Sequence, residues 1–205
     1  PGLEVEVVAK RSYPSLSVAH IVGHLKRDNS DLDESVRYNY RLPDYTGKLG
    51  LEKTFDGYLR GQPGVRSVLV NNLGYRQSDS IPVPPQPGSN VVLTLDLEIQ
   101  EAAMKALNET EGKGAAAVVI DVNSGDVIAM ASIPVFDPNQ FTPGISHQLW
   151  NSYLAARPSP LIFRATQERY PPGSIFKIIT GLAALEHGLN PTNQIYSAGY
   201  SRVGR

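Results

Sequence analysis

The stretch Ser80-Ile81-Pro82-Val83-Pro84-Pro85-Gln86-Pro87-Gly88-Ser89 constrains this chain more than any other. Four prolines in ten residues remove backbone donors and fix φ, which forbids a helix or a central strand there and favours an extended connector. The chain divides at this point into a first segment (1–79), a linker (80–89) and a second segment (90–205). With 205 residues, 41% hydrophobic and 19% charged, a packed core is within reach and wholesale disorder is excluded. Residues 1–88 carry 11 Lys+Arg against 10 Asp+Glu, and residues 89–205 carry 8 against 10. Neither part is a basic block, so no nucleic-acid partner is expected.

The chain has no cysteine, which excludes disulfides, thiolate zinc sites and a Cys nucleophile. His20 and His24 share an i, i+4 spacing that could hold a metal, but no third ligand sits nearby, and a partly exposed helix is the plainer reading. No metal or cofactor is expected. No apolar run approaches the ~20 residues that span a bilayer, and no signal peptide is visible. The chain opens with Pro1-Gly2 rather than Met, so a shortened chain is expected, with any membrane anchor upstream.

Hydrophobic periodicity predicts a strand over 3–8, a helix over 17–26, a loop over 28–37 and a helix over 50–60 stopped by Gly61. Runs at 67–71 and 74–78 flank Asn71-Asn72-Leu73-Gly74 and predict a hairpin. Beyond the linker the pattern predicts a strand over 91–94. A helix follows, burying Ile99, Ala102, Ala103, Ala106 and Leu107. Two apolar runs, 115–120 and 127–131, surround Asn123-Ser124-Gly125 and predict a hairpin covered on both faces. Residues 133–173 carry seven prolines and read as irregular. Residues 174–187 predict a helix with Ile175, Ile178, Ile179, Leu182 and Leu185 buried, ended by Gly188 and Pro191.

The chemistry lies in Tyr170-Pro171-Pro172-Gly173-Ser174-Ile175-Phe176-Lys177. The prolines stiffen the approach, and Gly173 permits a sharp turn. Ser174 falls at the helix start, where unpaired N–H groups and the macrodipole favour negative charge on a nucleophile or a nascent oxyanion. Lys177 lies one turn on, on the same face. In apolar surroundings its neutral form would be favoured, and a neutral amine can accept the serine proton. An S-x-x-K alone is better read as a plain N-cap followed by a solvated lysine; the helix-start position and the Pro-Pro-Gly lead-in bring the catalytic reading level with it.

Taken together, the motifs resemble the class B penicillin-binding proteins, most closely their cell-elongation branch, penicillin-binding protein 2. YPPGSIFK at 170–177 is similar to the catalytic motif, and Arg164-Ala165-Thr166-Gln167 to the family's R-A-x-Q lead-in, although Phe163 replaces a common Asn. VVIDVNSGDVIAMAS (118–132), FDPNQF (136–141) and LTLDLEIQ (93–100) resemble the opening of the transpeptidase domain. GKLGLEKTFDGYLRGQPG (47–64) and residues 1–14 resemble the pedestal domain.

The resemblance implies an α+β chain: a mixed, dimerisation-like pedestal, then the first part of a β-lactamase-like α/β transpeptidase domain. It implies Ser174 as nucleophile, Lys177 as proton partner, and peptidoglycan stem peptides and β-lactam antibiotics as ligands. It also implies a SEDS-type glycosyltransferase and rod-shape scaffold proteins as partners, at the periplasmic face of the cytoplasmic membrane. Such sites also use S-x-N and K-[ST]-G. Neither occurs, and 31 residues follow Ser174, so the chain reads as an incomplete, inactive fragment.

Two other functions stay open: a serine β-lactamase or D-Ala-D-Ala carboxypeptidase, and a non-catalytic scaffold. Among other residues, Glu52 and Arg60 suggest an ion pair or solvated helix charges. Asp121 and Asp126 read as turn chemistry rather than a metal or acid/base pair. Trp150 and Tyr153 read as loop anchors rather than groove aromatics.

Overall fold

A computed structural model describes residues 10–28, 44–110, 114–142, 144–194, 196 and 199. The strand expected over 3–8 and most of the loop expected over 28–37 lie outside them. The chain forms two compact units, Pro1–Glu168 and Arg169–Arg205. The fold is α+β, with three separate two-stranded antiparallel sheets among the described residues.

The helix expected over 17–26 is much shorter: a 3-10 turn at Leu16–Val18 and helix α1 at Ala19–Val22. Gly23 then turns at φ 79, and the chain becomes strand β1, Leu25–Asp28, paired with β2, Asp44–Gly47. A Cβ on Gly23 would lie 1.9 Å from the Leu49 carbonyl oxygen, so only glycine fits this crossing. The helix expected over 50–60 is two short ones, α2 (Gly50–Thr54) and α3 (Asp56–Leu59), parted at Phe55, where ψ is 21°. Glu52 and Arg60 are not partners. Glu52, 3% exposed, accepts from Arg11 Nε at 2.8 Å and from the Tyr13 hydroxyl at 3.0 Å, while Arg60 meets Asp28 at 3.2 Å. Burial, and then the Glu52 charge, push the Tyr13 phenol well above its ordinary range.

The hairpin of β3 (Val65–Val70) and β4 (Arg76–Val83) runs further than its turn signal suggested. Strand β4 continues through Pro82, and an isolated bridge joins Gln62 to Gln86. Proline is tolerated because this is a two-stranded edge, with no third strand needing its missing N–H among the described residues.

In the second segment, residues 91–94 do not form the expected strand. Helix α4, Leu97–Asn108, is capped by the Asp96 carboxylate, which accepts from Ile99 N at 3.0 Å. Its buried residues are Gln100, Met104 and Leu107, with Ala103 packed against them; Ala102 and Ala106 are exposed, and Ile99 is 42% exposed. The stripe therefore differs from the one the apolar residues alone suggest. A glutamine enters the core because its amide is fully bonded. Met104 and Leu107 pack on Ala131 and Ile133, each large side chain contributing about 1.5–3 kcal/mol. Strands β5 (Ala115–Ile120) and β6 (Val127–Ile133) pair as expected. However, Val118, Val119 and Ile120 are exposed, so that end of the hairpin is not covered on both faces among the described residues.

Residues 133–173 hold more regular structure than their prolines suggest, including α5 (His147–Ala155) and α6 (Arg164–Gln167). Ser146 caps α5, its hydroxyl accepting from Leu149 N. Trp150 and Tyr153 sit on this helix and anchor Phe141, edge-on and stacked respectively.

Several hydrogen bonds among the described residues fasten the first segment to the second. Tyr13 N donates to Asn139 Oδ1 at 2.9 Å and its carbonyl accepts from Asn139 Nδ2 at 2.9 Å. Ser17 O accepts from Gln100 Nε2 at 2.7 Å. His20 Nε2 donates to Pro160 O at 2.8 Å. A compact unit thus runs across the proline-rich stretch.

Candidate active site

Gly173 opens the site with φ 55, a left-handed conformation that glycine adopts without strain. Gly173–Ile175 form one 3-10 turn, and helix α7, Phe176–Glu186, continues from it. Ser174 lies in this turn and Lys177 in the first turn of α7, so the sequence spacing does place both at the head of one helix. Gly188, at φ 86, ends the helix as expected, with Leu189 N donating to Ala184 O at 2.9 Å.

Two expectations do not hold within this unit. Ser174 and Lys177 are both exposed, and no hydrogen bond joins them among the described residues. The stripe expected to be buried is open: Ile175, Ile178 and Leu182 are 73%, 67% and 59% exposed. Amphipathic spacing identifies a face suited to burial but does not supply what covers it. The apolar surroundings expected for Lys177 are therefore not formed among the described residues of this unit.

In the other unit, no group of three or more potential metal ligands occurs among the described residues, and His20 and His24 are held by aromatic neighbours. Rather than lying partly exposed, His20 is buried at 6%, stacks on Phe163 at 5.4 Å and meets Phe136 edge-on at 5.3 Å. His24 stacks on Phe141 at 3.8 Å. Together with Ile21, Leu49, Leu161 and Gln167, His20 and Phe163 line a small apolar cleft. Burial holds both imidazoles below their ordinary range, and Arg164 and Lys48 push His20 and His24 respectively the same way.

A pH dependence follows. Below about pH 6.5 the unfolded chain takes up protons that the folded chain refuses, so stability is lost as pH falls. The loss is at most about 1.4 kcal/mol per pH unit per histidine. Urea denaturation of the complete protein between pH 7 and pH 5 is expected to show this decline, and His20→Gln to flatten it. A His20→Gln profile parallel to the original would remove His20 as a source.

Asp121 Oδ1 accepts from Asn123 N at 2.7 Å and Ser124 N at 3.4 Å, so Asp121 serves the β5–β6 turn. These backbone bonds hold its carboxyl below the ordinary range. Asp126 accepts from Ser124 Oγ at 2.9 Å in the same turn. Arg164 was read only as part of a lead-in motif. It is 3% exposed and bonded on several sides, which no local pattern signals.

Known proteins match along the same order. The penicillin-binding protein dimerisation domain matches residues 1–93 and the penicillin-binding protein transpeptidase domain residues 115–204. Peptidoglycan D,D-transpeptidase MrdA of Escherichia coli (strain K12) is 37% identical over 199 residues, 94% of this chain and 31% of MrdA. The solved complex between penicillin-binding protein 2 and MreC from Helicobacter pylori matches with a TM-score of 0.74 and 28% identity, over 95% of this chain and 36% of that one. A chain from a study of polymerization and crosslinking by a peptidoglycan synthase complex matches with a TM-score of 0.65 and 37% identity, over 85% of this chain and 33% of that one. The chain spans roughly a third of the length of the curated relatives it matches, 31% for MrdA.

Proposed function

Because this chain belongs to the penicillin-binding proteins, a dimerisation domain followed by the start of a transpeptidase domain, we propose that it acts within a peptidoglycan D,D-transpeptidase of the cell-elongation branch. The carrying observation is Ser174 in the turn that opens α7, with Lys177 one turn on. Division into a pedestal (1–79), a linker (80–89) and a transpeptidase start (90–205) belongs to the same reading.

Ser174 Oγ attacks the carbonyl between the two terminal D-Ala residues of a stem peptide. Its proton passes to the neutral amine of Lys177, and the developing oxyanion is favoured by the helix start. The peptide bond breaks, the terminal D-Ala leaves carrying a proton, and an ester remains on Ser174. An amine of a second stem peptide then attacks the ester and forms the crosslink. β-Lactams acylate the same oxygen.

The wider setting in this reading is contact with a rod-shape scaffold protein and a SEDS-type glycosyltransferase at the periplasmic face of the cytoplasmic membrane; a penicillin-binding protein 2 solved with MreC and a chain from a peptidoglycan synthase complex support the partner side of it. Among the described residues no helix is long and apolar enough to cross a membrane. Residues 1–205 alone are expected not to crosslink peptidoglycan, since neither S-x-N nor K-[ST]-G occurs in them.

A second reading, a scaffold with an inert site, rests on the lack of S-x-N and K-[ST]-G within residues 1–205. Fluorescent penicillin separates the two. The complete protein is expected to form a stable one-to-one adduct, mapped by mass spectrometry to the peptide bearing Ser174. Rapid turnover of the penicillin would favour a β-lactamase, and no adduct at all would favour the scaffold.

A further inference from the structure

We propose that His20 and His24 form a proton-operated latch between the two matched domains, holding residues 10–24 against the second segment when neutral and loosening them when protonated. The latch stands apart from the acylation chemistry, since all of its parts lie in the unit ending at Glu168. Both histidines fall within residues 1–93, matched to the dimerisation domain. The phenyl rings they lean on, Phe136, Phe141 and Phe163, fall within residues 115–204, matched to the transpeptidase domain. Both imidazoles meet Phe136 edge-on, His20 at 5.3 Å and His24 at 5.9 Å, and Phe136 is 1% exposed. Helix α1, which carries His20, has four residues and does not repay its own nucleation, so contacts with its surroundings set its place. Tyr13 and Ser17 are held by the side-chain amides of Asn139 and Gln100, which do not titrate. The histidines are the members of this seam whose charge changes near neutral pH.

Protonation works against both rings. The Pro160 carbonyl can only accept, so Nε2 of His20 carries the proton of the neutral ring. A second proton would go to Nδ1, which has no hydrogen-bond partner among the described residues. It would also set a positive charge in a buried site beside the Arg164 guanidinium, itself 3% exposed. His24 donates from Nδ1 to the Leu25 carbonyl at 3.0 Å, so its second proton would go to Nε2, and Lys48 is the cation that opposes it. The carboxylates on the described elements around them are engaged elsewhere. Asp137 holds Asn139 and Gln140, Glu168 meets Arg164, Glu52 meets Arg11 and Tyr13, Asp28 meets Arg60, and Glu101 accepts from Ser15. A phenyl face attracts an imidazolium, but burial outweighs it here, and both rings are held below their ordinary range. The open seam therefore takes up protons that the closed seam refuses. It is closed above about pH 6.5 and opens more often as pH falls, by at most about 25-fold per histidine between pH 7 and pH 5.

Hydrogen exchange of the complete protein, read by mass spectrometry and corrected for the pH dependence of intrinsic exchange, tests the latch. Between pH 7 and pH 5, protection in peptides from residues 10–24 and 136–142 is expected to fall about 5- to 25-fold, while peptides from α4 and β5–β6 keep theirs. His20→Gln retains a donor for the Pro160 carbonyl and carries no charge, and the double variant with His24→Gln is expected to lose the acid response. His24→Gln alone, at the less buried of the two sites, is expected to fold normally and to shrink the response at least about twofold, which keeps the test open if the double variant is unstable. Protection that is unchanged between pH 7 and pH 5 would overturn the latch. So would a loss shared equally by α4 and β5–β6, which marks global unfolding, or a response of full size in either variant.

Discussion

Replacing Ser174 with alanine in the complete protein is expected to abolish covalent penicillin labelling, a drop of more than about 1,000-fold. The side chain sits in an exposed 3-10 turn and makes no hydrogen bond among the described residues, so its removal disturbs no packing. Thermal unfolding should move little. Unchanged stability with lost labelling is the signature of a nucleophile; lost stability would mark a cap. Lys177→Ala is expected to fall nearly as far, because a serine without a base is a weak nucleophile. Its residual rate should climb with pH as hydroxide takes over the proton. Full-rate labelling of Lys177→Ala at neutral pH would dismiss the amine as proton partner.

Gln100→Leu is expected to destabilise the complete protein by about 3 kcal/mol, lowering Tm by roughly 6–12 °C. Gln100 is fully buried. Its Oε1 accepts from Met130 N at 2.7 Å, and its Nε2 donates to Met130 O at 3.1 Å and Ser17 O at 2.7 Å. Met130 pairs with Val118 across the hairpin, and the glutamine amide stands where another strand would satisfy the outer edge of β6. Leucine matches the volume but strands three backbone groups, each costing about 1–3 kcal/mol, less where water reaches them. Gln100→Glu retains the acceptor, loses the donor and buries a charge, so it should be worse at neutral pH and recover in acid. A leucine variant with unaltered Tm would show that these groups find other partners.

Both predictions turn on features of different visibility. The head of α7 is local: Pro-Pro-Gly, then Ser174 and Lys177, can be read from eight consecutive letters. So can the β5–β6 turn, where Asp121 and Gly125 are placed by backbone chemistry alone. Gln100 is invisible to such reading, since periodicity counts it as polar and turns it outward. The partners of Glu52 are hidden for a related reason. A local reading offers only Arg60 or solvent, whereas Arg11 and Tyr13 arrive from 41 and 39 residues away. Helix α5 was hidden by the prolines around it, although Ser146 and the spacing of Leu149, Trp150 and Tyr153 carry its signal. The open face of α7 marks the reverse case: the pattern is correct, but a pattern cannot say what lies against it.

The way residues 13, 17 and 20 are tied down bears on how this protein can be cut apart. A boundary drawn at the proline run suggests two exchangeable cassettes. Removing the first would strip Asn139, Gln100 and the Pro160 carbonyl of their mates, and bare Phe136 and Phe141 where the two histidines now lie. Chimaeras between relatives should therefore inherit residues 10–24 along with the catalytic half, whichever ancestor supplies the remainder of the pedestal.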